Sequence, residues 1–214
     1  MARYLSIFVL LFLSFQVLGQ NPTDLLETRL LKMYERDQEI RFSLDKISNE
    51  WAGKPEMNHK IDSVVNIMHG IDAENQAFVA NLLDSLNGWP SNISERAHMA
   101  VFIVIQHSPP HFMTKYTPYV KDAYGKGYID SSMYAIFVDR SLVRSEKMQI
   151  YGSQIINGYV WPIEDVENVD ARRNEMKLPP MSDYLQMFKD QGMAVVWQKD
   201  MTVDEAKDKM YIRR

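Results

Sequence analysis

The chain contains no cysteine. That absence excludes a disulfide scaffold, thiolate catalysis, thiolate metal sites and a lipid attached to an N-terminal cysteine after export. Basic residues are not in excess: the net charge is −4 and Lys and Arg are spread along the sequence, so no stripe suited to nucleic acid is present. Beyond the first 19 residues, no apolar stretch is long enough to cross a bilayer. The sequence also lacks a Gly-rich phosphate loop, a serine nucleophile elbow and a dinucleotide fingerprint. Internal repeats, low-complexity tracts and long linkers are missing too.

The N-terminus is distinctive. Arg3 precedes an almost unbroken apolar run from Leu5 to Phe15, and Val17-Leu18-Gly19 offers a cleavage site. This is the pattern of a signal peptide over residues 1–19. The run is shorter than the roughly 20 residues of a membrane span, and Pro22 would break a continuing helix. The expected mature chain is one globular domain over 20–214, with its core at about 25–190 and a peripheral tail at 191–214. The localisation expected is periplasmic or extracellular, with no transmembrane segment in the mature chain.

The expected fold is mainly α: a compact multi-helix domain with one β-hairpin near 149–162, α+β by strict count. Thr23 is read as the cap of a first helix to about Ile47, with Leu26, Leu30 and Met33 on its apolar stripe. A second helix is expected over about Met57–Met68, and a third, capped by Asp72, to about Leu86. Gly88 is read as its left-handed stop before Pro90. Ser94 caps the next. Its body, Ala97–Ile105, is apolar almost all round, which implies burial on every side. Ser108-Pro109-Pro110 ends it. Helices follow from Phe112 to about Tyr124 and from Asp130-Ser131 to about Val143. Asn157-Gly158 between β-rich runs is a strong hairpin signal. Short helices carrying Arg172-Arg173, then capped by Ser182, then opened by the capping box Thr202–Glu205, complete the chain. The 14 methionines sit at core-like spacings and read as packing.

Several apolar runs end in polar groups. Met99–Ile105 stops at Gln106-His107, Met133–Val138 stops at Asp139-Arg140, and Gln149, Tyr151 and Gln154 follow around Gly152. Asp37, Gln38 and Arg41 form a polar patch on the first helix, with Asp37 and Arg41 at i, i+4. Together with Asp72…Asn75, Gly88-Trp89-Pro90, Pro162-Ile-Glu-Asp165, Arg172-Arg173 and Leu178-Pro179-Pro180, these residues resemble a family of bacterial domains of unknown function, common in Bacteroidetes. The resemblance spans about Leu25 to Leu185. It implies one intact domain and carries no reaction.

His107 is the leading catalytic candidate, since imidazole titrates near neutrality. Asp139 or Asp37 is its candidate partner. Gln38, Arg41, Gln106, Arg140, Gln149, Tyr151 and Gln154 are candidate ligand-binding groups, and Arg41 or Arg140 suits a carboxylate or phosphate. A bulge at Gly152 would bring Tyr151 and Gln154 together. Metal is the weaker option: Pro109-Pro110 breaks the helix that would align His107 with His111, and His69 and His98 lack partners at ligand spacing. No cofactor is expected. Three readings stand open. One is a metal-independent hydrolase or transferase using His107 with an aspartate. The second is a module binding a small polar molecule, a peptide or a glycan. The third is an interaction domain whose polar pairs only fix helix ends.

The leader reading has a direct check. Mass spectrometry of protein from its native host should find a chain beginning near Gln20; an intact Met1 start would contradict export.

Overall fold

The computed structural model describes residues 22–51 and 53–211; the expected leader lies outside them. Among the described residues the architecture is eight α-helices and one two-stranded hairpin. α1 (Pro22–Glu50) and α2 (Met57–Leu86) are the longest elements. They run antiparallel, because Arg41 reaches Asp72, Arg36 reaches Glu74 and Arg29 lies over Phe78. α3 (Glu95–His107), α4 (Pro110–Gly125) and α5 (Ser131–Arg144) follow. No helix among the described residues is long and apolar enough to cross a membrane.

α3 is the core element that its all-round apolar sequence implies. Ala97, Ala100, Val101, Phe102 and Ile105 are fully buried, packed with Leu30, Val79, Leu83, Val120 and Phe137 from neighbouring helices. Ser94 caps α3 through Ala97 N, and Asp130 caps α5 through Met133 N. Thr202 and Glu205 close a reciprocal capping box on α8 (Val203–Tyr211).

Four expectations at helix ends need correction. α2 is a single helix through Gly70, and Asp72 lies within it as a partner of Arg41 instead of a cap. One Gly in the middle of a helix weakens it by only about 1 kcal/mol, less than the packing of Ile71, Asn75, Val79 and Leu83 on one face supplies. The left-handed stop after α2 is Asn87, at φ 47°, not Gly88. Thr23 lies inside α1, which starts at Pro22. Ser182 is likewise inside α7 (Met181–Asp190), whose first free N–H, that of Met181, is taken by Asp170.

The hairpin turns at Asn157-Gly158, both at positive φ, 51° and 82°, as a two-residue primed turn requires. Its strands are short: β1 (Ile155–Ile156) pairs with β2 (Tyr159–Val160). Gln149 makes only an isolated parallel bridge with Ile163, so 149–154 is not a strand and a bulge is not the right description. A 3-10 turn (Val166–Asn168) leads to α6 (Val169–Glu175). Val160, Ile163, Val169 and Met181 form a second, smaller core. The tail contributes Met201 and Ala206, both buried against Trp161.

His98 belongs to the main core. Its Nδ1 accepts a hydrogen bond from Trp89 Nε1 at 3.0 Å, and its ring stacks on Tyr128. Burial lowers its pKa, against the opposing charge of Glu27. The neutral ring therefore contributes stability that is complete above the unfolded value of about 6.5 and is lost as pH falls through the depressed folded value. The melting temperature should drop between about pH 7 and pH 5 more steeply for the wild type than for His98→Gln. Parallel profiles would show that His98 does not titrate with unfolding.

Candidate functional site

α1, α2 and α3 meet at a polar cluster next to the C-terminus of α3. Asp37, 1 % exposed, is its centre. Arg41 grips it with two hydrogen bonds, Nε to Oδ2 at 3.1 Å and Nη2 to Oδ1 at 3.0 Å. Gln38 Nε2 donates to Oδ2 at 2.9 Å. Arg41 also reaches Asp72 Oδ1 at 2.7 Å across the helix pair. His107 arrives from the last turn of α3, its Nδ1 3.6 Å from Asp37 Oδ2.

That Nδ1 is buried and meets no hydrogen-bond partner. The contact to Asp37 is just beyond hydrogen-bond length. Burial alone would raise the pKa of Asp37, but His107 and Arg41 outweigh it and hold the carboxyl at about 2. The group is thus ionised throughout the physiological range.

The cluster opens on a cleft of about 330 Å³ lined by His107, Asp72, His69, Gln76, Pro109, Pro110, Ala73 and Arg144. Arg144 comes from the end of α5. It donates to the Ser108 carbonyl and faces Met113 Sδ at 3.3 Å. Ser108 itself is buried and donates to the Val104 carbonyl at 2.6 Å.

Asp139 is in a different place from a histidine partner. Its carboxylate is fully buried and accepts three backbone N–H groups: Oδ1 from Ile150 and Tyr151, Oδ2 from Ser153, at 2.8–2.9 Å. Burial pushes its pKa up, and the three donors pull it back. The aspartate beside His107 is Asp37.

Gln149 repeats the device. Its side chain, 0 % exposed, donates to the carbonyls of Trp161 and Gln154 and accepts from Gln154 N. Tyr151 takes part through its backbone, N to Asp139 and O from Arg173. Arg172 and Arg173 donate to the adjacent carbonyls of Ile150 and Tyr151 in the same loop. These groups hold loop 149–154 in shape.

Arg140 connects the loop to α5, its Nε donating to Gln154 Oε1 at 3.4 Å. Gln106 is buried and its Oε1 has no partner. The expected site residues therefore fall into two networks. Asp37, Gln38, Arg41 and His107 meet at the cleft; Asp139, Gln149, Tyr151 and Gln154 secure the loop, with Arg140 between. Sequence reading missed Asp72 and Arg144 as members. Arg144 stands four residues after Arg140, a spacing that places both on one helical face. Among the described residues, no group of three or more His, Asp or Glu side chains is arranged to hold a metal ion.

Residues 23–196 match the model of a family of unknown function, DUF6624, and the chain belongs to that family. No curated protein and no solved structure matches it.

The two networks should respond differently to truncation. Asp139→Ala leaves three backbone donors without an acceptor and should lower unfolding stability by about 3 kcal/mol or more. His107→Ala, at a part-exposed ring with no hydrogen bond, should cost about 1 kcal/mol. Urea titrations of both variants measure this; equal losses would mean that His107 is as structural as Asp139.

Proposed function

We propose that the protein is an acid–base enzyme, a hydrolase or transferase, in which His107 moves the proton and Asp37 orients it. The observation that carries this reading is a histidine at a cleft with Nδ1 turned to a buried, firmly ionised carboxylate. With a proton on Nδ1 facing Asp37, Nε2 is the basic nitrogen, and it makes no hydrogen bond among the described residues. A dyad contact slightly long in the free protein shortens when substrate seats.

Among the described residues the cleft lining contains no serine, threonine, tyrosine or lysine, and Ser108 is turned away. With His107 used as the base, the attacking group in this reading is water or a hydroxyl of a second substrate. Nε2 takes its proton as the oxygen bonds to the electrophilic centre, and returns that proton to the leaving group as the old bond breaks. Arg41, fixed between Asp37 and Asp72, keeps the orienting carboxylate ionised throughout. The chemistry asks nothing of Asp139 or Gln149, whose polar atoms are occupied. We place this activity outside the cytoplasm, on the strength of the apolar leader.

A panel of chromogenic esters, phosphoesters and glycosides tests the proposal. His107→Ala and Asp37→Asn should each reduce turnover by about a hundredfold or more with the fold retained. Turnover undiminished in His107→Ala overturns it. Saturable ligand binding without turnover of any member would instead make the cleft that of a binding module.

A further inference from the structure

Charge is unevenly paired around the cleft. Arg41 is shared by two carboxylates, Asp37 and Asp72. Arg140 and Arg144, one helical turn apart on α5, meet none among the described residues. Arg140 is half-buried and donates to the neutral Gln154 side chain. Arg144 donates to a backbone carbonyl and lines the cleft beside His107.

Among the described residues the carboxylates are taken by Arg41, and no carboxylate pairs with the α5 arginines: Arg144 in the cleft lining and Arg140 one turn before it, against the loop. Like charges at i, i+4 repel. Burial, Arg144 and Arg41 all push the pKa of Arg140 down. Arg140 is thus close enough to feel both neighbouring cations, with no protein anion to relieve it. A guanidinium fork matches the oxygens of phosphate or carboxylate. Gln154 fixes one edge of Arg140 and is itself held through Ser153 and Gln149, so the loop network orients the cation.

We propose that Arg140 and Arg144 form the seat for a doubly charged oxyanion of the substrate, a phosphate monoester group, next to His107. Two uncompensated positive charges favour a dianion over a single carboxylate. The word substrate rests on the enzyme reading above; the anion seat does not, because it needs only the α5 arginines.

Calorimetric titration of the full chain with inorganic phosphate, sulfate and acetate at matched ionic strength is the test. Phosphate should bind saturably, sulfate should share the site, and acetate should bind about tenfold more weakly or worse. Arg140→Gln and Arg144→Gln should each weaken phosphate by about tenfold or more. If either glutamine variant fails to fold, Arg140→Lys and Arg144→Lys, which keep charge and lose the fork, should still weaken it. His107→Ala should keep phosphate binding saturable, because both arginine forks remain. That variant separates the two ideas: lost turnover with retained phosphate binding supports both. Retained turnover with retained binding removes the dyad and keeps the seat. Absence of saturable phosphate binding, unchanged affinity in the arginine variants, or acetate binding as well as phosphate would overturn the seat.

Discussion

The Asp139 carboxylate, shut off from solvent and held by three backbone N–H groups, is the contact on which the C-terminal half depends. A buried carboxylate is tolerated only when its lone pairs are satisfied. Here the satisfaction comes from main chain, which therefore has to adopt one path. Residues 150–153 curl around the carboxylate, which takes the N–H groups of Ile150, Tyr151 and Ser153 away from any strand partner. Gly152 takes φ 70° in that curl, and a Cβ there would lie 2.7 Å from Ile163 Cδ1. The helix end, the curl and the second core are in this way one construction: α5 supplies the anion, the loop supplies the donors, and Ile163 and Met181 fill the space beneath.

The cleft is organised by the opposite logic. Asp37 is also buried and ionised, but its neighbours are side chains that reach the surface: Arg41 and His107 are 24 % and 19 % exposed. A carboxylate held by backbone is fixed; one held by side chains at a solvent boundary can exchange partners as a molecule enters. α5 links the two regions, because Asp139 points into the loop and Arg140 and Arg144 stand near the cleft. Whatever fixes the loop also fixes the positions of those guanidiniums.

Local chemistry was legible in the sequence wherever a few adjacent residues decide the outcome. Ser94, Asp130 and the Thr202–Glu205 pair cap as their residue types suggest, Asn157-Gly158 turns the hairpin, and the all-apolar body of α3 is the core helix. The misreadings share a cause. Gly70 and Asp72 resemble punctuation, and only the presence of α1 alongside, with Arg41 opposite, shows why the helix continues. Gln149 to Gln154 alternates like a strand, yet a side chain ten residues upstream claims its donors. Asp139 and Asp37 are equivalent candidates on paper. Which one meets His107 depends on helix packing over long sequence separations, and periodicity carries no information about that. Arg144 was recoverable from its i, i+4 relation to Arg140, but nothing local marks a cation as lacking a carboxylate.

The reach of Asp139 is short along the chain, and this bears on the order of assembly. Its three donors lie 11 to 14 residues downstream. Closing so small a loop costs little chain entropy, so the curl can form as soon as the last turn of α5 exists. α8, packed through Ala206 against Trp161, must wait for a much longer stretch of polypeptide to be in place. On chain entropy alone, the curl is favoured to form before the C-terminal helix has anything to dock upon.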